Sequence, residues 1–158
     1  MFREIARQKQ AMSHEACLQL LRTQLRGVLS VLGDDGYPYG MPLNHFYREE
    51  DGCLYFHTGR TGHRMDAIRQ CNKASFCVID EGRRIGQAWP LHFESVIVFG
   101  HIEMIEDQET IYGIARELSL RFTDDEEYIA REIAVSGPRT AMFRLVPEHM
   151  TGKRVTEA

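Results

Sequence analysis

An eight-residue segment in the first half of the chain has the composition of an anion-binding loop. Residues 57–64 read HTGRTGHR, between an apolar run and a helical pattern. Amides at the start of a helix point outward and the helix dipole favours negative charge, while arginine and threonine side chains add charged and hydroxyl donors. The segment therefore predicts a site for a phosphate monoester, although a solvated turn explains the same short pattern.

A second segment, residues 26–44, could present its main chain to a flat ligand. It reads RGVLSVLGDDGYPYGMPLN, an apolar run followed by a glycine-rich turn and a return segment that ends at Pro42, Leu43 and Asn44. Proline cannot donate to a strand ladder, so Pro42 belongs at a strand edge or a bulge, which leaves neighbouring main-chain groups free for a heteroaromatic ring. The alternative is that Pro42 simply ends a strand.

Histidine could supply acid–base chemistry beside these segments. His63 opens the predicted helix, where an imidazole could donate to a ring, bind substrate or relay a proton near neutral pH. A helix-start histidine that only caps or packs is the alternative. Four other histidines lack the short helical spacing of a metal pair, so no metal site is predicted; these are His45, His57, His92 and His101. The single tryptophan, Trp89, could wall a pocket or serve only in packing.

The overall composition is that of an ordinary folded domain. The chain has 158 residues, 43% of them hydrophobic, a formal net charge of −4 and a pI of about 6.0, which argues against nucleic acid as a partner. Its apolar runs are shorter than the roughly 20 residues that cross a bilayer, and residues 1–10 lack the apolar core of a signal peptide. We expect one domain over residues 1–158, a cytoplasmic location and no membrane partner.

Hydrophobic periodicity predicts the elements that must position the chemistry-bearing segments. Ser13 is a favourable N-cap for an amphipathic helix that ends near Arg26 and Gly27. Further helices are predicted at 63–70, 111–122 and 126–135. The predicted strands are 28–32, 39–47, 53–58, 74–80, 95–106 and 140–146, with an irregular segment at 81–94. This order predicts a mainly β fold, an antiparallel barrel with helices packed outside.

Several motifs carry a resemblance to a known family. They are MFRE at 1–4, RGVLS and GDDGYPYG within 26–40, YFH and GHR within 55–64, SVIVFG at 95–100 and HMTGKR at 149–154. In this order they resemble the pyridoxamine 5'-phosphate oxidase-like FMN-binding split-barrel superfamily, particularly its nitroimidazole-resistance (Nim) branch. The resemblance implies a split antiparallel β-barrel with flanking helices, and a homodimer that binds two FMN molecules at its interface.

The resemblance also implies roles for individual residues. The implied cofactor-binding residues are Arg26, Leu43, Asn44, His57, Thr58, Gly62, His63, Arg64 and Ser95. Arg26 and Arg64 would bind phosphate, and the main chain of Leu43 and Asn44 would meet the isoalloxazine edge. Ser95 stands where oxidases of the superfamily use a glutamine, and Arg64 where the family more often has lysine. His63 would lie near the flavin as the candidate catalytic residue.

The function that this resemblance implies is that of an FMN-dependent oxidoreductase. Reduced FMN would pass two electrons to a small acceptor, such as a nitroaromatic or nitroimidazole compound. The chain lacks a GxGxxG motif after a strand, so an NAD(P)H donor would have to stack transiently on the flavin. The alternatives are a non-catalytic flavin carrier or sensor, a haem-binding split barrel, and a related flavin such as F420. Pyridoxamine phosphate oxidation is disfavoured, because RLVP at 144–147 only partly resembles the C-terminal pattern of that enzyme.

Overall fold

The computed structural model describes residues 1–87 and 89–156, which form an antiparallel β structure with flanking helices. The strands are β1 (Arg26–Leu32), β2 (Pro38–Asn44), β3 (Phe46–Arg48), β4 (Cys53–Gly59), β5 (Lys73–Ile79), β6 (Arg83–Arg84), β7 (Leu91–Ile105) and β8 (Thr140–Val155). Their order in the sheet is β2-β1-β5-β7-β8-β4-β3, and β6 pairs with β7. The predicted fold class is confirmed.

Alternating side chains line the inside of the sheet, as period-2 strands require. In β1 and β5 the buried positions are every second residue, among them Leu29 and Phe76, which lie opposite each other in the ladder. Phe56 of β4 packs edge-on against Phe76 at 5.0 Å and stacks on Phe143 of β8 at 5.1 Å between ring centroids. Complete burial of such side chains contributes about 1.5–3 kcal/mol each. This core packs β4 and β8 against β5 across the inside of the sheet.

The outer face of the same strands is partly apolar. Val28 of β1 lies opposite Cys77 of β5, which lies opposite Ile97 of β7. The exposed fraction is 41% for Val28, 54% for Ile79 and 37% for Ile97. Exposed aliphatic side chains on three neighbouring strands are unusual for a face that remains in water, and such patches commonly mark contact surfaces.

In the described part of the chain, four α-helices flank the sheet: α1 (His14–Thr23), α2 (His63–Gln70), α3 (Gln108–Ser119) and α4 (Glu126–Ser136). Ser13 caps α1 by accepting from the amide of Ala16, as expected. Asp107 and Asp125 cap α3 and α4 in the same way. None of the helices in the described ranges is long and apolar enough to cross a membrane.

The sequence predictions were wrong at several boundaries. Helix α1 ends at Thr23 rather than near Arg26, because Gln24 is extended and Arg26 already pairs with Asn44. The segment 81–94, expected to be irregular, contains β6 and the first residues of β7. Strand β8 continues to Val155 because β7 supplies a long antiparallel partner for residues beyond 146. Pairing between strands, which the hydrophobic pattern of each segment does not reveal, sets these boundaries.

Candidate functional site

A cleft of about 570 Å³ lies where the ends of β2 and β4 approach each other. These two strands are not neighbours in the hydrogen-bonded order of the described sheet, so the cleft occupies the open seam of the barrel. Its lining residues are Arg26, Pro42, Leu43, Asn44, His57, Thr58, Gly59, Arg64, Arg139 and Thr140. Six of the predicted cofactor-binding residues therefore meet at one place: Arg26, Leu43, Asn44, His57, Thr58 and Arg64.

One wall of the cleft is built by the pairing of β1 with β2. Arg26 is the first residue of β1 and lies opposite Asn44, the last residue of β2. The Nε of Arg26 donates to the Oδ1 of Asn44 at 2.9 Å. Arg26 has five N–H donors in its guanidinium. Because this bond uses only one of them, the rest of the group is available to an anion in the cleft.

The opposite wall comes from β4 and the start of α2. Arg64 is the second residue of α2, and its Nη1 donates to the Oγ1 of Thr58 at 2.7 Å. Its Nε lies 3.1 Å from the sulfur of Met41. Gly62 precedes the helix with a φ of 103°, a conformation that side chains rarely adopt, and no side chain caps the helix there. The loop–helix junction thus fixes one arginine and leaves amides at the helix start uncapped.

The electrostatics of the cleft favour an anionic ligand. Arg26, Arg64 and Arg139 line it without any carboxylate among the lining residues. His57 also lines the cleft, and burial, followed by the charge of Arg64, lowers its pKa below the ordinary value. The three arginines therefore give the lining a cationic character that no lining carboxylate offsets.

A comparison with sequence models of protein families shows which family the chain belongs to. The sequence model of the pyridoxamine 5'-phosphate oxidase family matches residues 13–154. The chain belongs to this family. No curated protein sequence matches it significantly.

Solved structures agree with the family at the level of the fold. A proposed 5-nitroimidazole antibiotic resistance protein from Bacteroides thetaiotaomicron aligns with a TM-score of 0.76 and 19% identity, over 91% of this chain and 86% of that one. A FAD-binding protein from Mesorhizobium loti aligns at 0.64 and 22% identity, over 92% and 97%. The flavocytochrome Anf3 from Azotobacter vinelandii aligns at 0.72 and 19% identity, over 97% and 73%. The family is flavin-binding, and the split-barrel fold is confirmed.

Three of the predicted site residues of this family member do not line the cleft. Gly62 lies behind it as the residue before α2. The ring of His63 stacks on Tyr39 with centroids 4.2 Å apart, and its Nε2 lies 3.5 Å from the Oδ2 of Asp34. Ser95 is on β7, opposite Ile79 of β5, two strands from Arg26. The catalytic role of His63 stays a prediction.

Four lining residues were not among the predicted site residues. Pro42 and Gly59 lie in the two segments that the sequence analysis singled out, whereas Arg139 and Thr140 lie outside them. Thr140 opens β8 directly opposite Gly59 of β4, and Arg139 precedes it. The available signal was a predicted strand at 140–146 with a basic residue at its start, but its partner strand was not predicted. The pairing of β4 with β8 brings a third arginine to the cleft.

A second and larger cleft adjoins the first. Its volume is about 950 Å³, and Arg26 lines both. Phe93 and Phe122 contribute apolar surface, while Arg83 and Glu94 contribute charge. Trp89 lines neither cleft and is 85% exposed, so it forms no wall within the described chain.

Proposed function

We propose that the chain binds FMN, with the phosphate in the cleft formed by Arg26, Arg64 and Arg139, and acts as an FMN-dependent oxidoreductase. The observation that carries this proposal is the convergence of three arginines and the Thr58 hydroxyl, without a carboxylate, on one cleft of a flavin-binding family. Guanidinium groups bind phosphate oxygens through charge-assisted, often bidentate hydrogen bonds. The donor set therefore fits a phosphate monoester.

The size and arrangement of the two clefts suit the remainder of the cofactor. Ligand pockets typically measure about 300–1,000 Å³, and the clefts of about 570 and 950 Å³ share Arg26. The main chain of Leu43 and Asn44 lies at the first cleft, where it is proposed to meet the isoalloxazine edge. His57, Thr58 and Gly62 complete the proposed phosphate loop. Ser95 would contact the flavin only from the outer sheet face.

A homodimer with FMN at its interface is part of the proposal. Members of this family are generally dimeric. The exposed aliphatic side chains of Val28, Ile79 and Ile97 would be buried by a second copy of the same face, as a two-fold interface requires. Ser95 lies in the ladder between Ile79 and Lys153 on this surface. Dimerisation would therefore bring Ser95 close to a partner subunit.

The protein residues would supply binding, orientation and proton handling. Bound FMN would accept electrons from a donor such as NAD(P)H and pass them to a small oxidised acceptor. The three arginines neutralise the phosphate and orient the cofactor. His63, exposed at the start of α2, is the proposed proton donor to substrate. A nitroaromatic or nitroimidazole acceptor is proposed because one structural neighbour is a proposed 5-nitroimidazole resistance protein.

The decisive test of binding is a visible absorption spectrum of the purified protein, with the released chromophore identified by mass. Flavin bands that release FMN are expected in the wild type. Arg64→Ala should weaken FMN binding about 10- to 100-fold, the usual effect of losing a charged hydrogen bond. Arg131→Ala, on the exposed surface of α4 and outside the cleft, is the matched control. A colourless protein that takes up no FMN would refute the proposal.

A second measurement separates an enzyme from a flavin carrier. The bound flavin is reduced without oxygen and mixed with a nitroaromatic compound. Reoxidation much faster than that of free FMN under matched conditions supports a reductase, and the rate should fall in His63→Ala if this residue donates a proton. A rate equal to that of free FMN identifies a carrier.

A further inference from the structure

Arg121 binds main-chain carbonyls of two separate segments behind the cleft. It lies in the turn after α3, where its amide donates to the carbonyl of Leu118. Its Nη1 donates to the carbonyl oxygen of His45 at 2.6 Å, and its Nη2 donates to those of Arg22 at 2.7 Å and Gln24 at 2.8 Å. The rigid fork of a guanidinium can hold several carbonyls at fixed distances, which lysine cannot do. The side chain thus ties the end of α1 to the break between β2 and β3.

His45 completes the same connection from inside the barrel. Its side chain is fully buried, and its Nε2 donates to the carbonyl of Leu21 at 2.9 Å. Its main-chain amide donates to the carbonyl of Leu25 at 3.2 Å. The Nδ1 is buried without a partner, as suits a neutral ring whose proton is on Nε2. Two hydrogen bonds therefore join the segment 21–25 directly to His45, and three more connect them through Arg121.

The segments that Arg121 and His45 hold together are adjacent in sequence to two residues that line the cleft. Arg26 follows Leu25, and Asn44 precedes His45. Arg26 and Asn44 pair across β1 and β2, and their side chains are hydrogen-bonded. Arg121 itself does not line the cleft. We infer that Arg121 is a positioning residue: by clamping the chain on both sides of this pair, it sets where Arg26 and Asn44 stand in the cleft.

This inference rests on the proposed function, because the pair is expected to bind the phosphate and ring of FMN. Binding groups must be held within about 0.5 Å of their productive position by the residues behind them. Without the clamp, the ends of β1 and β2 would be held only by their own ladder and by His45. Loss of Arg121 should therefore weaken FMN binding through Arg26.

A double-mutant cycle tests whether Arg121 acts through Arg26. Arg121→Met and Arg121→Lys are each made with Arg26 intact and with Arg26→Ala, and the Kd for FMN is measured by quenching of flavin fluorescence. Arg121→Met should raise the Kd about tenfold when Arg26 is present and less than about twofold in Arg26→Ala, because the two effects are coupled. Arg121→Lys, which keeps the charge, should recover part of the loss. Equal factors in both backgrounds, or an unchanged Kd, would overturn the inference.

The matched control is Arg116→Met, since Arg116 lies on α3 and forms an exposed ion pair with Glu126. It should leave the Kd unchanged. If Arg121→Met fails to fold, Arg121→Lys carries the cycle alone, with a smaller increase that must also vanish in Arg26→Ala.

A second readout needs no cofactor. In the ligand-free protein, the NMR cross-peaks of the Arg26 Nε–H and the Asn44 side-chain amide should shift in Arg121→Lys and stay in place in Arg116→Met. Unmoved cross-peaks in Arg121→Lys would overturn the inference that Arg121 positions Arg26 and Asn44, even if the protein binds FMN. Shifted cross-peaks in a protein that binds no FMN would uphold the clamp and reject the proposed cofactor.

Discussion

Two regions of the molecule use arginine in opposite ways. In the cleft, Arg26, Arg64 and Arg139 form no ion pair within residues 1–87 and 89–156. On the β7–β8 ladder, Arg144 donates from Nη2 to Glu103 at 2.7 Å and approaches Asp51 at 3.8 Å. Next to it, His101 lies between Glu103 at 3.2 Å and Glu148 at 2.8 Å. We refer to this second group, from Asp51 to Glu148, as the ladder network.

The difference teaches where an external anion can bind. A paired cation has its field cancelled nearby and serves mainly to hold strands together. Three unpaired cations repel one another, and a dianion placed among them relieves that repulsion while gaining hydrogen bonds. A chain with a net charge of −4 can therefore still present a locally cationic cleft. The local distribution of charge, rather than the net charge of the chain, decides where an anion can bind.

The sharpest way to break this comparison is to reverse one charge in each region. Arg139 and Arg144 belong to the same stretch of chain, one at the cleft and one in the ladder network. Arg139→Glu should weaken FMN binding about 100-fold by adding repulsion to the lost contact, with little effect on stability. Arg144→Glu should lower the free energy of unfolding by about 1 kcal/mol and leave FMN affinity within about twofold. Fluorescence titration and urea unfolding measure the two quantities.

Equal losses of affinity in the two variants would contradict the comparison. That result would mean that FMN senses the summed field of the domain, and a strong decrease of the Arg139 effect at high salt would then be expected as well.

His45, which lies behind the cleft, should make the stability of the fold sensitive to acid. Burial lowers the pKa of His45 from 6.5 to about 4. Between these pH values His45 is protonated in the unfolded chain but stays neutral in the folded chain, so stability falls as the pH falls from 6.5 towards 4. The shift corresponds to a loss of about 3 kcal/mol when integrated over this window. Urea unfolding at a series of pH values measures it.

His45→Gln is the control for this assignment, because an amide keeps a donor for the carbonyl of Leu21 and does not titrate. The variant should be less stable than the wild type at pH 7 and should show a flatter decline towards pH 4. Parallel curves for the two proteins would assign the acid sensitivity to other groups.

The parts of the fold that sequence predicted are those that local chemistry determines. Helix α2 begins at His63 and ends at Gln70 as expected, because the loop before it ends in a glycine with positive φ. Ser13 marks the start of α1 for the same kind of local reason. The length of β8 depends on β7, a partner far away in sequence, and no local signal specifies it. The hairpin of β6 with β7 is local, because residues 83–84 pair with 91–92, but the two charged residues of β6 carry no strand pattern.

The candidate site divides in the same way. Arg26 and Asn44 could be paired from the hairpin that joins their strands, and Arg64 from its place at the helix start. Arg139 could not, because it reaches the cleft only through the pairing of β8 with β4. The orientation of the His63 ring could not be predicted from the sequence either. Its neighbour Arg64 turns to Thr58, while its own ring turns to Tyr39 on the other side of the helix start.

The smallest expected effect concerns His101 in the ladder network. Its contribution to stability should depend on pH in the direction opposite to that of His45. Glu148 first, and then Glu103, raise the pKa of His101 above 6.5. Its contribution to stability is therefore complete below pH 6.5 and is lost as the pH rises through the raised pKa. Because the ring is on the surface, the loss should be only about 0.5 kcal/mol. His101→Gln should remove this decline on the alkaline side, without changing the acid response or FMN affinity. A change in FMN affinity would show that the two regions are coupled, although no ion pair joins them within residues 1–87 and 89–156.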